Sequence, residues 1–336
     1  MKADPAQIAA RHFLAVVSWP SFLGRHPRAS NGVANRLYNT ESSAHVRNRA
    51  CRVPPAFSFA LRWFDVPPLM DRIVFESVRK IFRHRPALFN WLGKERRGET
   101  VALKDVSFTA GQAQVLVLLG PNGSGKTTTL KLISTMLLPD AGSIRVGGFD
   151  GQRHAVQVRR QVGIAVAAER SFFPRLSAGE NLEFFAALDE VSRSDRDQRI
   201  ADVLRETGLE DQRDTLVMKF SSGMYQRLGI ARAIVKAPKV LLLDEPTRSL
   251  DAAGTTHLWT MIGRLAEQGT TVLLATHNFA EAAAVGDRLI LLHRGELLAN
   301  RSLDGESADA LRSFYFGTTG EMDEAASTIR RGAMRR

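Results

Sequence analysis

The segment Gly120-Pro121-Asn122-Gly123-Ser124-Gly125-Lys126-Thr127 combines the residue types that phosphate binding needs. Glycine accepts positive φ and lets main-chain N–H groups come close to an anion. The spacing G-x-x-x-x-G-K-[ST] predicts that Lys126 reaches the β- and γ-phosphates of a nucleotide and that Thr127 presents its hydroxyl to Mg²⁺. Thr128 joins the same nucleotide-binding set, at the start of a helix whose N-terminus faces the anion. The competing reading is a chance glycine-rich turn. The wholly apolar Val115–Leu119 before it and the helical pattern after it argue against that.

A second candidate ends the apolar run Val240-Leu241-Leu242-Leu243 with Asp244-Glu245. A carboxylate at the end of a buried strand can hold Mg²⁺, usually through water, which assigns Asp244 to the metal. Glu245, one step further, can polarise an attacking water as general base. Alone, two acids after a strand read equally well as a solvated turn; their position downstream of the glycine loop gives them meaning. A third candidate, Ser221-Ser222-Gly223, lies about 95 residues beyond Lys126 and taken alone is a turn or a helix cap.

These residues need a scaffold, and the chain offers one from Met70 onward. Ile73–Val78 and Ala102–Phe108 read as strands on either side of a Lys/Arg-rich stretch from Phe82 to Glu99. Val115–Leu119, Val240–Leu243 and Thr271–Ala275 are continuous apolar runs, expected of strands buried on both faces. Lys126–Leu138 reads as a helix broken by Pro139-Asp140-Ala141-Gly142, with Ile144–Val146 opening a hairpin. Ser177-Ala178-Gly179-Glu180 matches a capping box and predicts a helix through Leu188. Residues 190–219 are charged and helical in pattern, and Arg288–Leu298 has a strand–turn–strand pattern around Arg294-Gly295. Strands alternating with helices predict an α/β fold.

The net charge of +11 does not sit on this scaffold. Residues 1–69 hold 9 Lys/Arg against 3 Asp/Glu, and 329–336 hold 4 Arg and no acid, whereas 70–328 carry 33 basic and 32 acidic residues. A balanced core argues against a nucleic-acid footprint. Residues 1–69 are expected to be a disordered extension or sequence upstream of the true start, a functional basic arm being the alternative. The single Cys51 excludes an intrachain disulfide framework. No run approaches the roughly 18 apolar residues of a membrane span, and Phe13–Leu23, the best candidate, is broken by Ser18, Pro20 and Ser21. A soluble chain is expected, with any membrane role borrowed from a partner.

In this order, the motifs over roughly residues 70–317 resemble the nucleotide-binding subunit of an ATP-binding-cassette (ABC) transporter. Phe220-Ser221-Ser222-Gly223-Met224 resembles the family signature LSGGQ, with Phe for Leu, Ser for the first Gly and Met for Gln. The resemblance implies that Ser221 donates its hydroxyl, and Gly223 a backbone N–H, to the γ-phosphate of ATP held by a second subunit. It identifies Asp251, in Ser249-Leu250-Asp251, with the loop that couples the two sites. His277 matches the histidine that contacts the γ-phosphate and the attacking water, and Phe82 the aromatic that stacks on adenine; core packing is the competing reading for Phe82. One expected residue is missing. The stretch Val162–Pro174 should supply a Gln at Ala167 or Ala168, and Glu169 is the nearest polar stand-in, a carboxylate able to approach Mg²⁺ or the water.

The implied fold is a P-loop NTPase with a mixed central sheet, an antiparallel β subdomain and an inserted helical subdomain at about 165–225, in a domain spanning 70–317 and followed by a tail, 318–336. The implied activity is hydrolysis of ATP with Mg²⁺ by two cassettes, this chain with a second copy of itself or a homologue. The resemblance implies an integral-membrane permease subunit as partner, at the cytoplasmic face of the membrane. It points to Phe172, Phe173, Phe184 and Phe185 as the docking region, core packing again competing. Glu-Arg-Ser-Phe at 169–172 together with Ser-Ser-Gly-Met resembles some subunits of export systems. The alternatives are a soluble cassette ATPase acting on ribosomes or nucleic acid, and a non-catalytic regulatory cassette.

Overall fold

The computed structural model describes residues 71–83, 99–166 and 171–320. The segments 1–69 and 321–336, together with Ala167, Ala168 and Glu169, lie outside the described residues. Strands β1 (Ile73–Arg83), β2 (Glu99–Ala110), β4 (Ala141–Val146) and β5 (Phe149–Asp150) form an antiparallel sheet in the order β2-β1-β4-β5. The central sheet runs β10-β9-β3-β8-β7-β6 and comprises β3 (Val115–Leu119), β6 (Val162–Val166), β7 (Val240–Asp244), β8 (Thr271–Thr276), β9 (Arg288–His293) and β10 (Glu296–Ser302). All neighbours in it are parallel except β10, which pairs antiparallel with β9, so the sheet is mixed as expected.

Every residue of β3, β7 and β8 is buried, which is why these strands are apolar without alternation. Successive side chains still point to opposite faces. Leu116, Leu118, Leu242, Leu273 and Ile290 pack with the antiparallel sheet (Ile73, Phe75, Val106) and with Leu130 and Ile133 of α1 (Lys126–Ile133). Val117, Leu119, Leu241, Leu243, Val272, Leu274 and Leu289 pack with the remaining large helices. These are α3 (Ala178–Leu188), α4 (Arg193–Glu206), α5 (Ser222–Ile234), α6 (Ala252–Glu267), α7 (Phe279–Val285) and α8 (Ala308–Thr319); the short α2 (Ala155–Gln161) precedes β6. Helices α3 to α5 are inserted between β6 and β7. The capping box forms at α3: Ser177 Oγ accepts from Glu180 N, and the Glu180 carboxylate accepts from Ser177 N at 2.7 Å.

Two elements differ from the sequence pattern. α1 stops at Ile133 rather than Leu138, because Thr135 turns the chain in the left-handed region (φ 62°) and Leu137 N returns to Lys131 O. β1 continues beyond Val78 to Arg83, across an irregularity at Ser77 (φ 47°), so Phe82 is a strand residue.

Candidate nucleotide-hydrolysis site

The register of three adjacent strands assembles the site. Leu119, the last residue of β3, pairs with Thr276, the last of β8, and Asp244, the last of β7, pairs with Ala275. The glycine loop, His277 and Asp244-Glu245 therefore emerge side by side at the carboxyl ends of the parallel strands, where open α/β sheets bind ligands.

Backbone packing holds the glycine loop. A Cβ on Gly120 would sit 2.2 Å from Leu292 O, and one on Gly125 would meet Leu103 Cδ2 at 2.6 Å and Ala102 O at 2.8 Å. Gly125 has φ 109° and precedes α1 without any side-chain cap, so the first N–H groups of α1 carry no side-chain acceptor. The turn between β9 and β10 braces the loop: Gly295 N donates to Ser124 O, and Lys104 N donates to Gly295 O. The strand–turn–strand at Arg294-Gly295 was legible in the sequence; its contact with the loop was not. Asn122, Gly123 and Thr128 lie in the same loop and first helical turn, with Gly123 at φ 80°.

Lys126 is only 6% exposed. Its Nζ donates to Gly120 O at 2.6 Å and Pro121 O at 3.2 Å and lies 3.6 Å from Glu245 Oε1. Burial lowers its pKa, and the nearby Glu245 and Asp244 carboxylates oppose that shift. Thr127 Oγ1 donates to Asp244 Oδ2 at 2.8 Å. Burial raises the Asp244 pKa, opposed by this hydrogen bond. Glu245 adopts φ 48°, and its N–H still donates to Ala275 O. The chain thus leaves β7 in a sharp turn that aims the Glu245 side chain between Lys126 and His277. His277 Nδ1 lies 2.8 Å from Glu245 Oε2, an ion pair when the half-exposed imidazole (59%) carries a proton. Glu245 Oε1 is buried with no hydrogen-bond partner. A buried cation, a carboxylate and an imidazole brought together at the strand ends can bind an anion and take a proton from a water beside it.

The structure does not bring every candidate into this cluster. Ser221 caps α5, accepting from Met224 N at 3.2 Å, and Gly223 lies close enough to Ser249 O that a Cβ would come within 2.9 Å. Asp251 caps α6 through Gly254 N. Among the described residues, no hydrogen bond or ion pair links Ser221 or Gly223 to the glycine loop. Phe82 is half-buried in β1 and pairs with Thr100 of β2, the strand whose Ala102 abuts Gly125; Lys80 Nζ lies 5.8 Å from its ring centre. Glu169 falls outside the described residues. Of the four phenylalanines, Phe172 and Phe185 are core, whereas Phe173 and Phe184 are partly exposed and stack edge-on at 4.9 Å. Sequence reasoning passed over Glu281, a fully buried carboxyl near this cluster.

The ABC transporter family model matches residues 103–248, from β2 to just beyond Glu245. The chain is 34% identical to the ABC transporter ATP-binding protein NatA of Bacillus subtilis, over 63% of this chain and 86% of NatA. It is 37% identical to the doxorubicin resistance ATP-binding protein DrrA of Mycobacterium tuberculosis, over 60% of this chain and 61% of DrrA. The fold superposes on the dimeric bacterial ABC transporter cassette MJ0796 with a TM-score of 0.61 and 27% identity, covering 70% of this chain and all of that one. With the glycine loop, the strand-end acids and the inserted helices in their family order, the chain belongs to the ABC transporter family, as an ATP-binding subunit that hydrolyses ATP.

Proposed function

We propose that this subunit powers an export-type transporter from the cytoplasmic face of a membrane, bound to a separate integral-membrane permease. Several relatives support the direction: their names record resistance to doxorubicin, daunorubicin and linearmycin. Among the described residues no helix is long and apolar enough to cross a membrane, so the route across would belong to the partner. Phe173 and Phe184 offer a partly exposed aromatic face for it.

Cassettes of this family dimerise, and in this reading two chains, or this chain and a homologue, close on two ATP molecules. Each site takes the Lys126, Asp244 and Glu245 face of one chain and Ser221 and Gly223 of the other. Lys126 exchanges the Gly120 and Pro121 carbonyls for β- and γ-phosphate oxygens, and the N–H groups of the glycine loop and of α1 hold the remainder. Phe82 stacks on adenine. The hard oxygen donors Thr127 Oγ1 and Asp244 Oδ2, already 2.8 Å apart, suit Mg²⁺ and would hold it. When bound, the ion neutralises charge on the phosphates. Glu245 accepts a proton from the attacking water as its oxygen bonds to the γ-phosphorus and ADP leaves, while His277 orients Glu245 and the phosphate. Asp251 couples the two sites, and Glu169 reaches toward the water or the ion.

The observation that carries this reading is Glu245, held between Lys126 at 3.6 Å and His277 at 2.8 Å. Glu245→Gln is expected to lower turnover by about a hundredfold or more while ATP affinity stays near wild type. The same variant, purified from detergent-solubilised membranes with ATP and Mg²⁺, should carry a stoichiometric multi-span protein, identified by mass spectrometry. Unchanged turnover would remove Glu245 from its role. Ribosomal proteins in place of a membrane protein would favour a soluble ATPase.

A further inference from the structure

Glu281 lies in the first turn of α7, four residues after His277, and is fully buried. Three polar side chains from three segments face its carboxyl: Thr276, the residue before His277; Thr247, two residues after Glu245; and Trp259 of α6. Asn278 joins the first of these to the helix, since its N–H donates to Thr276 Oγ1 at 3.0 Å and its Oδ1 accepts from Ala280 N and Glu281 N. With Thr276 Oγ1 accepting from Asn278, its own proton is available to Glu281. Neither Glu281 oxygen, nor Trp259 Nε1, has a partner in hydrogen-bonding geometry. Such a cluster costs stability, and an apolar side chain of the same length would relieve the cost.

We propose that Glu281 is a positioning residue for ATP hydrolysis, its carboxyl set between the segment that follows Glu245 and the strand end that precedes His277, so that these two side chains keep their mutual geometry. This position suits a neutral carboxylic acid, whose O–H would donate to Thr247 while its carbonyl accepts from Thr276 or Trp259 as the side chains close on it. Burial raises the Glu281 pKa against the opposing effect of the Thr276, Thr247 and Trp259 donors, and the charge of Glu245, its acidic neighbour, adds to the rise. The inference rests on the roles proposed for Glu245 and His277.

The test compares Glu281→Met, Glu281→Gln, Thr247→Val and Glu245→Gln in the full-length chain, reading kcat, ATP affinity and melting temperature. A positioning role predicts that Glu281→Met melts no lower than wild type and binds ATP within about twofold, yet loses about tenfold in kcat. Glu281→Gln, which can donate and accept, should retain kcat within about threefold. Adding Thr247→Val to Glu281→Met should cost little more than either alone. Wild-type kcat in Glu281→Met, with Glu245→Gln inactive, overturns the inference and leaves the site assignment standing. Parallel loss of melting temperature, affinity and kcat in Glu281→Met, without rescue by Glu281→Gln, makes the residue merely structural and also overturns it. An active Glu245→Gln would instead overturn the underlying assignment.

Discussion

Lys126 is a cation in a site that hydrates it poorly, and two carbonyls and a carboxylate at 3.6 Å take the place of water. Asp244 and Glu281 are the counterpart on the acidic side, since burial raises both pKa values. For Glu281 the sign of the pH dependence follows. Its folded pKa exceeds its unfolded one, so stability with this residue is greatest below the ordinary glutamate value and falls as pH rises through the folded value. The melting temperature of wild type relative to Glu281→Gln should therefore fall as pH climbs from about 4.3 upward. A gap that stays constant with pH would mean that Glu281 titrates normally. Nothing in the sequence marked this residue, because a glutamate in the first turn of a helix normally faces solvent and complements the helix dipole. Its burial comes from what α6, α7 and β8 bring together.

Among the elements, the glycine loop and its helix act as one unit fixed by close backbone contacts. At Gly125 a side chain would need φ 109° and would collide with Leu103 and Ala102, whereas at Gly123 (φ 80°) it would meet nothing within 4 Å. Gly125→Ala is expected to lose about 1–3 kcal/mol of stability, together with ATP affinity. Gly123→Ala, with backbone strain alone, should lose about 1 kcal/mol. Equal thermal melts for the two variants would contradict this packing account. The site motifs and the buried strands were legible because a strand covered on both faces must be apolar throughout, and phosphate binding restricts residue types. Element ends were less so. Leu137 and Leu138 extend the apolar pattern past Ile133, but the left-handed Thr135 stops the helix and leaves Met136 and Leu138 more than half exposed. Arg79, Lys80 and Arg83 hid the second half of β1, where β2 rather than alternation sets the pairing.

Across the whole molecule, the described domain is nearly neutral, and the basic excess lies in segments outside the described residues. The two faces of the proposed composite site come from different layers: the glycine loop from the end of the central sheet, the cap of α5 from the inserted helices. That separation has a genetic consequence. Lys126→Ala spoils only the site a chain builds on its own glycine loop, and Ser221→Ala spoils only the site it completes for its partner. Each homodimer should be inactive. In a mixed dimer, both lesions fall in one site and the other is wholly wild type. Mixing the two purified dead variants should therefore restore turnover, approaching about a quarter of wild type if chains pair at random and each intact site works independently. Activity that stays at background across all mixing ratios would mean that the subunits do not share sites, or that neither site turns over alone.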